Sequence, residues 1–263
     1  MKLSIQDNRL PGKNIQEKFA KAKEHGFKAV EIWGTDLINR INEIKETSKK
    51  NDINISTVCA GYRGCLLDKK KEERELALQD IKDLLNMCGE LEAVGLIVVP
   101  IFGPPQLSNL SSGKSAEELE KELLVELLFE IGRAAEKSGS FCLLEPLNRY
   151  ETHLINRLSD AVKICKKVNS PGVKIMADFF HMNIEEERID EAIVENGEFI
   201  YHIHLADSNR FLPGCGHIDF KKGLQALKQI GFDKYMAFEC RIPGNFDEEI
   251  SKSINYLSQY IEF

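Results

Sequence analysis

The sequence predicts an α/β fold, a single closed (β/α)₈ barrel spanning residues 1–263 as one domain, and three observations predict it. Eight short, β-branched apolar runs alternate with longer amphipathic segments along the 263 residues, and such alternation calls for a parallel sheet covered by helices. Eight units in this length give about 33 residues each, close to the roughly 250-residue norm for a closed barrel. The rival topology, a doubly wound open sheet, usually carries a Gly-rich phosphate loop after its first strand, and no G-x-G-x-x-G follows Ile5. No long linker or change of composition marks a second domain.

In chain order the predicted strands are Lys2–Ile5, Ala29–Trp33, Asn54–Ala60, Gly95–Ile101, Phe141–Leu147, Val173–Phe179, Tyr201–Ala206 and Tyr235–Cys240. Between them lie Lys- and Glu-rich segments with apolar residues at helical spacing. Leu76, Ile81, Leu84 and Leu85 form one such face, and Leu119, Leu123, Leu124, Leu127, Leu128 and Ile131 form another. Glycines that end helices precede several strands, as in His25-Gly26-Phe27 and Ile230-Gly231-Phe232. The low-complexity stretch Gly103–Ser115, GPPQLSNLSSGKS, follows the fourth strand. It reads as a flexible surface loop, with a lid over the barrel mouth as the alternative.

Composition narrows the function. Thirty-five Lys+Arg against 42 Asp+Glu leave a net charge of −7, which argues against nucleic acid as a partner. No apolar run approaches the roughly 20 residues of a membrane span, and the start MKLSIQDNRLPGKN lacks a signal-peptide stretch, so a cytoplasmic protein is expected. Seven cysteines at 59, 65, 88, 142, 165, 215 and 240 include no Cys-x-x-Cys pair and read as reduced thiols.

Barrel chemistry sits at the C-terminal ends of the strands. Four late runs end there in an ionisable group: Glu145 in CLLEP, Asp178 in KIMAD, His204 in YHIH and Glu239 in MAFE. Burying an unpaired carboxylate costs several kcal/mol or shifts its pKa. Each group alone reads as a paired core residue. Four on adjacent strands at matched depth, with Lys174 as the one basic residue in those runs, read as the ligands of one divalent cation. Three carboxylates and one imidazole favour Mn²⁺ or Co²⁺, with Mg²⁺ and Zn²⁺ as the remaining candidates. His202 shares a strand face with His204 and reads as a core or supporting residue. Trp33 and Phe102 read as packing residues, with sugar stacking as the alternative. His217, Gly214 and Gly216 fall in a loop that is either a turn or a close approach to ligand, and Asp207 reads as a cap or as a group that orients Arg210.

At these residues the sequence resembles the xylose isomerase-like TIM-barrel superfamily, and within it the sugar isomerase/epimerase group of the tagatose/psicose 3-epimerase type. The resemblance is carried by EPLNRYET at 145–152, ADFFHM at 177–182, HIHLADSNR at 202–210, PGCGHIDF at 213–220 and AFEC at 237–240, with VEIWG at 30–34 and VCAGYRG at 58–64 fitting less specifically. It implies that Glu145, Asp178, His204 and Glu239 bind the metal and that Glu145 and Glu239 form the acid–base pair. Glu151, His181 and Arg210 match positions that bind substrate hydroxyl and carbonyl oxygens. The implied activity is ketose 3-epimerisation through an enediolate. The alternatives on the same site are aldose–ketose or hydroxypyruvate-type isomerisation and inosose dehydration. Further alternatives are abasic-site DNA cleavage, which the histidine-free early strand ends oppose, and noncatalytic sugar binding. The implied partner is a small sugar, and the implied assembly a homodimer or homotetramer.

Overall fold

A computed structural model describes residues 1–109 and 113–262. Eight parallel strands close into a barrel in sequence order. They are β1 Lys2–Gln6, β2 Ala29–Trp33, β3 Asn54–Cys59, β4 Gly95–Val98, β5 Phe141–Leu144, β6 Val173–Asp178, β7 Ile200–Leu205 and β8 Tyr235–Phe238. β1 pairs with β8, Ile5 opposite Phe238, and this closes the ring. Each predicted run contains its strand to within a residue, which is the predicted (β/α)₈ architecture.

Nine α-helices surround the ring among the described residues: α1 Ile15–Glu24, α2 Leu37–Asn51, α3 Lys71–Glu90, α4 Ala116–Ser138, α5 Leu158–Val168, α6 Phe179–Glu185, α7 Ile189–Asn196, α8 Phe220–Gln229 and α9 Phe246–Ser258. Their starts follow capping chemistry. Asn14 accepts from the Glu17 N–H at 2.9 Å, and Ser115 with Glu118 closes a reciprocal capping box on α4. At its other end α4 stops on Gly139, whose φ of 72° suits a residue without Cβ.

Period-two alternation divides the strand residues between two environments. Leu3, Ile5, Val30, Ile32, Leu96, Val98, Cys142, Leu144, Ile175, Ala177, Ile203, Leu205, Met236 and Phe238 face outward into the core beneath the helices. The inward positions split again. Cys59, Ile97, Leu143 and Met176 form a small apolar cluster of their own. Ser4, Gln6, Glu31, Ser56, Thr57, His202 and His204 are equally buried but polar, and they hydrogen-bond to one another, as where the Ser4 and Ser56 hydroxyls meet at 2.8 Å. The barrel interior is therefore divided between a small apolar cluster and a larger polar network.

Residues 110–112, inside the Gly103–Ser115 stretch read as a loop or lid, lie outside the described residues. The described approach to them is tied down. Glu120 of α4 accepts from the N–H groups of Gln106 and Leu107 at 2.6 and 3.1 Å, and His153 Nε2 lies 2.6 Å from its other oxygen. The cysteines are unpaired, five of them buried, and burial pushes the Cys165 and Cys240 thiols up to about 12. Among the described residues no helix is long and apolar enough to cross a membrane.

Candidate metal centre

An ionisable side chain stands at the last inward position of each late strand or one residue past the strand, on the face set by period-two alternation. Met176 and Asp178 follow this rule on β6 and His202 and His204 on β7, while Leu143 is followed by Glu145 one residue past β5 and Ala237 by Glu239 one residue past β8. Asp178 stands opposite His204 in the β6–β7 ladder. One ligating atom from each of Glu145, Asp178, His204 and Glu239 lies within 4.8 Å of every other. His204 Nδ1 is 3.2 Å from Glu239, 3.7 Å from Glu145 and 3.9 Å from Asp178. It is buried and makes no hydrogen bond among the described residues.

That unpartnered ring nitrogen, enclosed by three carboxylates, fits a divalent cation. Burial and the nearby Glu239 push the Glu145 carboxyl up, against the His204 ring. At Glu239 burial also pushes upward, but His204 and Arg210 outweigh it and hold the carboxyl below its ordinary value. At Asp178 the Arg210 guanidinium, then His181 and His204, likewise overcome burial.

Arg210 is the cation that the strand sequences did not supply. It lies beyond β7, donates to Asp178 at 2.8 Å and pairs with Glu239, with its guanidinium 4.5 Å above the Phe180 ring. The sequence-based count of basic groups stopped at the strand ends and missed this neutralisation. Arg210 holds an αL conformation, φ 61°, imposed by Asp207. The Asp207 carboxylate accepts from the N–H groups of Ser208, Gly214 and Ile218 at 2.7, 2.9 and 3.1 Å. A Cβ at Gly216 would fall 2.3 Å from Asp207 Oδ1, so this glycine serves the turn. His217 is a loop residue whose Nδ1 meets the Ser208 hydroxyl at 2.8 Å.

His181 projects from α6, which begins directly on Asp178 through a 2.7 Å bond from the Phe180 N–H to Asp178 Oδ1. Its Nδ1 accepts from the backbone N–H and the side-chain amide of Asn148 at 3.1 and 2.8 Å. The ring proton therefore sits on Nε2, 3.6 Å from Asp178. Glu151 stays at the rim, accepting from Asn148 at 2.9 Å. Trp33 and Phe102, expected to pack, are instead 37% and 62% exposed.

Sequence reasoning missed two residues. Asn148, within EPLNRYET, fixes His181. Glu31, fully buried on β2, lies beneath the centre. It receives Gln6 Nε2 at 2.8 Å, Thr57 Oγ1 at 2.5 Å, His202 Nε2 at 2.8 Å and His204 Nε2 at 3.0 Å to each oxygen. Burial pushes its carboxyl up, but the two histidines outweigh that and hold it well below its usual range. The signal was present: a carboxylate inside the apolar run Ala29–Trp33 meets the same criterion that singled out the four later groups.

Comparison with known proteins agrees with this architecture. The family described as xylose isomerase-like TIM barrel matches residues 19–260. A 3-dehydro-D-guloside 4-epimerase of Escherichia coli (strain K12) is 34% identical over 244 residues, covering 92% of this chain and 93% of that protein. A D-psicose 3-epimerase of Ruminiclostridium cellulolyticum is 40% identical over 231 residues, covering 85% of this chain and 76% of that protein. The crystal structure of an E. coli 3-keto-D-glucoside 4-epimerase in its apo form superposes with a TM-score of 0.90 at 31% identity, covering 98% of this chain and 99% of that one. With the closed barrel, a match over nearly its whole length and relatives of this identity, the chain belongs to the xylose isomerase-like TIM barrel family.

Proposed function

We propose that this chain is a divalent-metal-dependent sugar epimerase, inverting the carbon next to the carbonyl of a keto sugar on one barrel domain. The observation that carries the proposal is the convergence of Glu145, Asp178, His204 and Glu239 from four neighbouring strands onto one spot. The relatives support the reaction class. One is named for epimerisation at C4 of a 3-keto sugar and the other for epimerisation at C3 of a ketose. Both names describe the same operation, inversion beside a ketone, shifted by one carbon.

In this reading the four side chains hold Mn²⁺ or Co²⁺, since three hard oxygen donors and one imidazole suit those ions. A bound dication supplies Lewis-acid stabilisation of the enediolate charge. The rest falls to the chain's own groups. Inversion needs one carboxylate to take the proton from one face of the carbon and another to return a proton from the opposite face. Glu145 and Glu239 are those two carboxylates, one taking the proton and the other returning one. The reverse reaction exchanges their roles. Arg210 and the Nε2–H of His181 stand ready to donate to substrate oxygens, and Glu151 at the rim to accept from a hydroxyl.

The test is a panel of free ketoses, 3-keto sugars, sugar phosphates and inososes incubated with Mn²⁺ in D₂O and followed by NMR. Epimerisation places deuterium at the inverted carbon, whereas dehydration changes the product mass. Glu145→Gln and Glu239→Gln should each abolish exchange. Undiminished turnover in either variant removes the two-carboxylate mechanism.

A further inference from the structure

Glu31 lies on the far side of the His204 ring from the Glu145–Asp178–Glu239 carboxylates. Its neighbours are unusual for a core carboxylate. Four donors reach it from three strands, Gln6 of β1, Thr57 of β3 and both histidines of β7, so the lone pairs of both oxygens are directed at hydrogen. The two His204 ring nitrogens therefore see different worlds. Nε2 faces only Glu31, equidistant from its oxygens at 3.0 Å. Nδ1 faces the centre and has no hydrogen-bond partner among the described residues.

We infer that Glu31 is a positioning residue: it holds the ring proton of His204 on Nε2, and so presents the bare Nδ1 lone pair to the Glu145–Asp178–Glu239 centre. The inference rests on the divalent-metal reading of that centre. The opposite tautomer sets a lone pair against an ionised carboxylate at 3.0 Å and turns an N–H toward the position a cation needs. A carboxylate that accepts the far N–H of an imidazole ligand fixes both the tautomer and the orientation of the ring. The remaining donors hold the holder. Thr57 and Gln6 keep Glu31 from rotating, and His202 Nε2 lies 2.8 Å from it while His202 Nδ1 has no partner among the described residues. Gln6 adds a second tie, since its Nε2 also donates to Glu239 at 3.0 Å. One side-chain amide thus couples the holder to a carboxylate of the centre.

The experiment uses full-length protein labelled with ¹⁵N-histidine and loaded with ¹¹³Cd²⁺. The expected spectrum shows cadmium–nitrogen coupling at Nδ1 of His204 and a slowly exchanging proton on its Nε2. In Glu31→Gln the carboxamide offers one acceptor oxygen where two stood. The Nε2 proton should then exchange fast, and Mn²⁺ affinity, read by chelator competition, should fall 10- to 100-fold. Coupling at Nε2 in the wild-type protein overturns the inference while leaving the metal reading intact, and it does so even where Glu31→Gln fails to fold. Unchanged affinity and exchange in a folded Glu31→Gln variant overturn it equally. Absence of any coupling, with no Cd²⁺ bound, overturns the metal reading and this inference together.

Discussion

Gly216 bears on the proposed site from a distance. Its missing side chain leaves room for Asp207, whose three N–H bonds shape the loop that holds Arg210 in its αL conformation. Gly216→Ala pushes Asp207 aside and shifts the guanidinium off Asp178 and Glu239. Misplacement by about 1 Å costs on the order of 10²-fold in rate, so kcat/KM should fall by about that factor while the fold survives. Kinetics and circular dichroism on the same sample check this, and wild-type rates in the variant would show that the loop does not position Arg210. Asn148→Ala acts similarly on His181: the backbone N–H still holds the tautomer, but the shorter side-chain tie is lost and the ring loosens, which should lower kcat about tenfold with KM less affected. A change confined to KM would count against it. At this scale the sequence was informative where a group stood out against its own neighbours. Glu145, Asp178, His204 and Glu239 each interrupt an apolar run. Arg210 and Asn148 stand in polar loops, where nothing in the local pattern separates a site residue from a solvated one.

The elements were legible to different degrees for physical reasons. A strand buried on both faces is written as a short β-branched run, and all eight could be read that way. The short α6 could not, because Asp178 is both the last residue of β6 and the N-cap of the helix, with no Gly or Pro between them. α4 was legible from its apolar face, and its Ser115–Glu118 capping box invites a test. Ser115→Ala removes a cap contributing about 1 kcal/mol, which lowers Tm by about 2–4 °C in a chain of this size; an unchanged Tm would mean the box contributes nothing. α6 also clamps the loop after β5. Glu185 accepts from the Arg149 backbone N–H at 2.6 Å and from its guanidinium at 2.9 Å. Burial pushes the Glu185 carboxyl up, but Arg149 outweighs it and holds the group below its ordinary 4.5. The folded state thus binds fewer protons here than the unfolded one. This contribution is complete above the unfolded value and is lost as pH falls below 4.5 through the folded one. Wild type should melt a few degrees above Glu185→Gln at pH 7, and the gap should close at acid pH. A gap constant from pH 7 to pH 3 would contradict the assignment.

Across the whole molecule, four carboxylates, the buried Glu31, Glu145 and Asp178 and the half-buried Glu239, face the Arg210 guanidinium and the imidazoles of His181, His202 and His204. A ligand that binds only the folded barrel stabilises it by mass action, about 2.7 kcal/mol at a hundredfold excess over Kd. Saturating Mn²⁺ should accordingly raise Tm by about 5–10 °C over chelator-treated protein, and Glu145→Gln or Glu239→Gln should shrink that rise. An equal Tm with and without metal would sink the centre as a cation site. The division of the barrel interior into an apolar part and a polar part has a separate consequence, for tolerance to change. Gln6, Thr57 and His202 all reach Glu31 from other strands, so exchanging any one of the four leaves a buried polar counterpart unpaired, at about 1–3 kcal/mol. At the rim, where Trp33, Phe102 and Glu151 meet solvent, water takes the place of a lost partner.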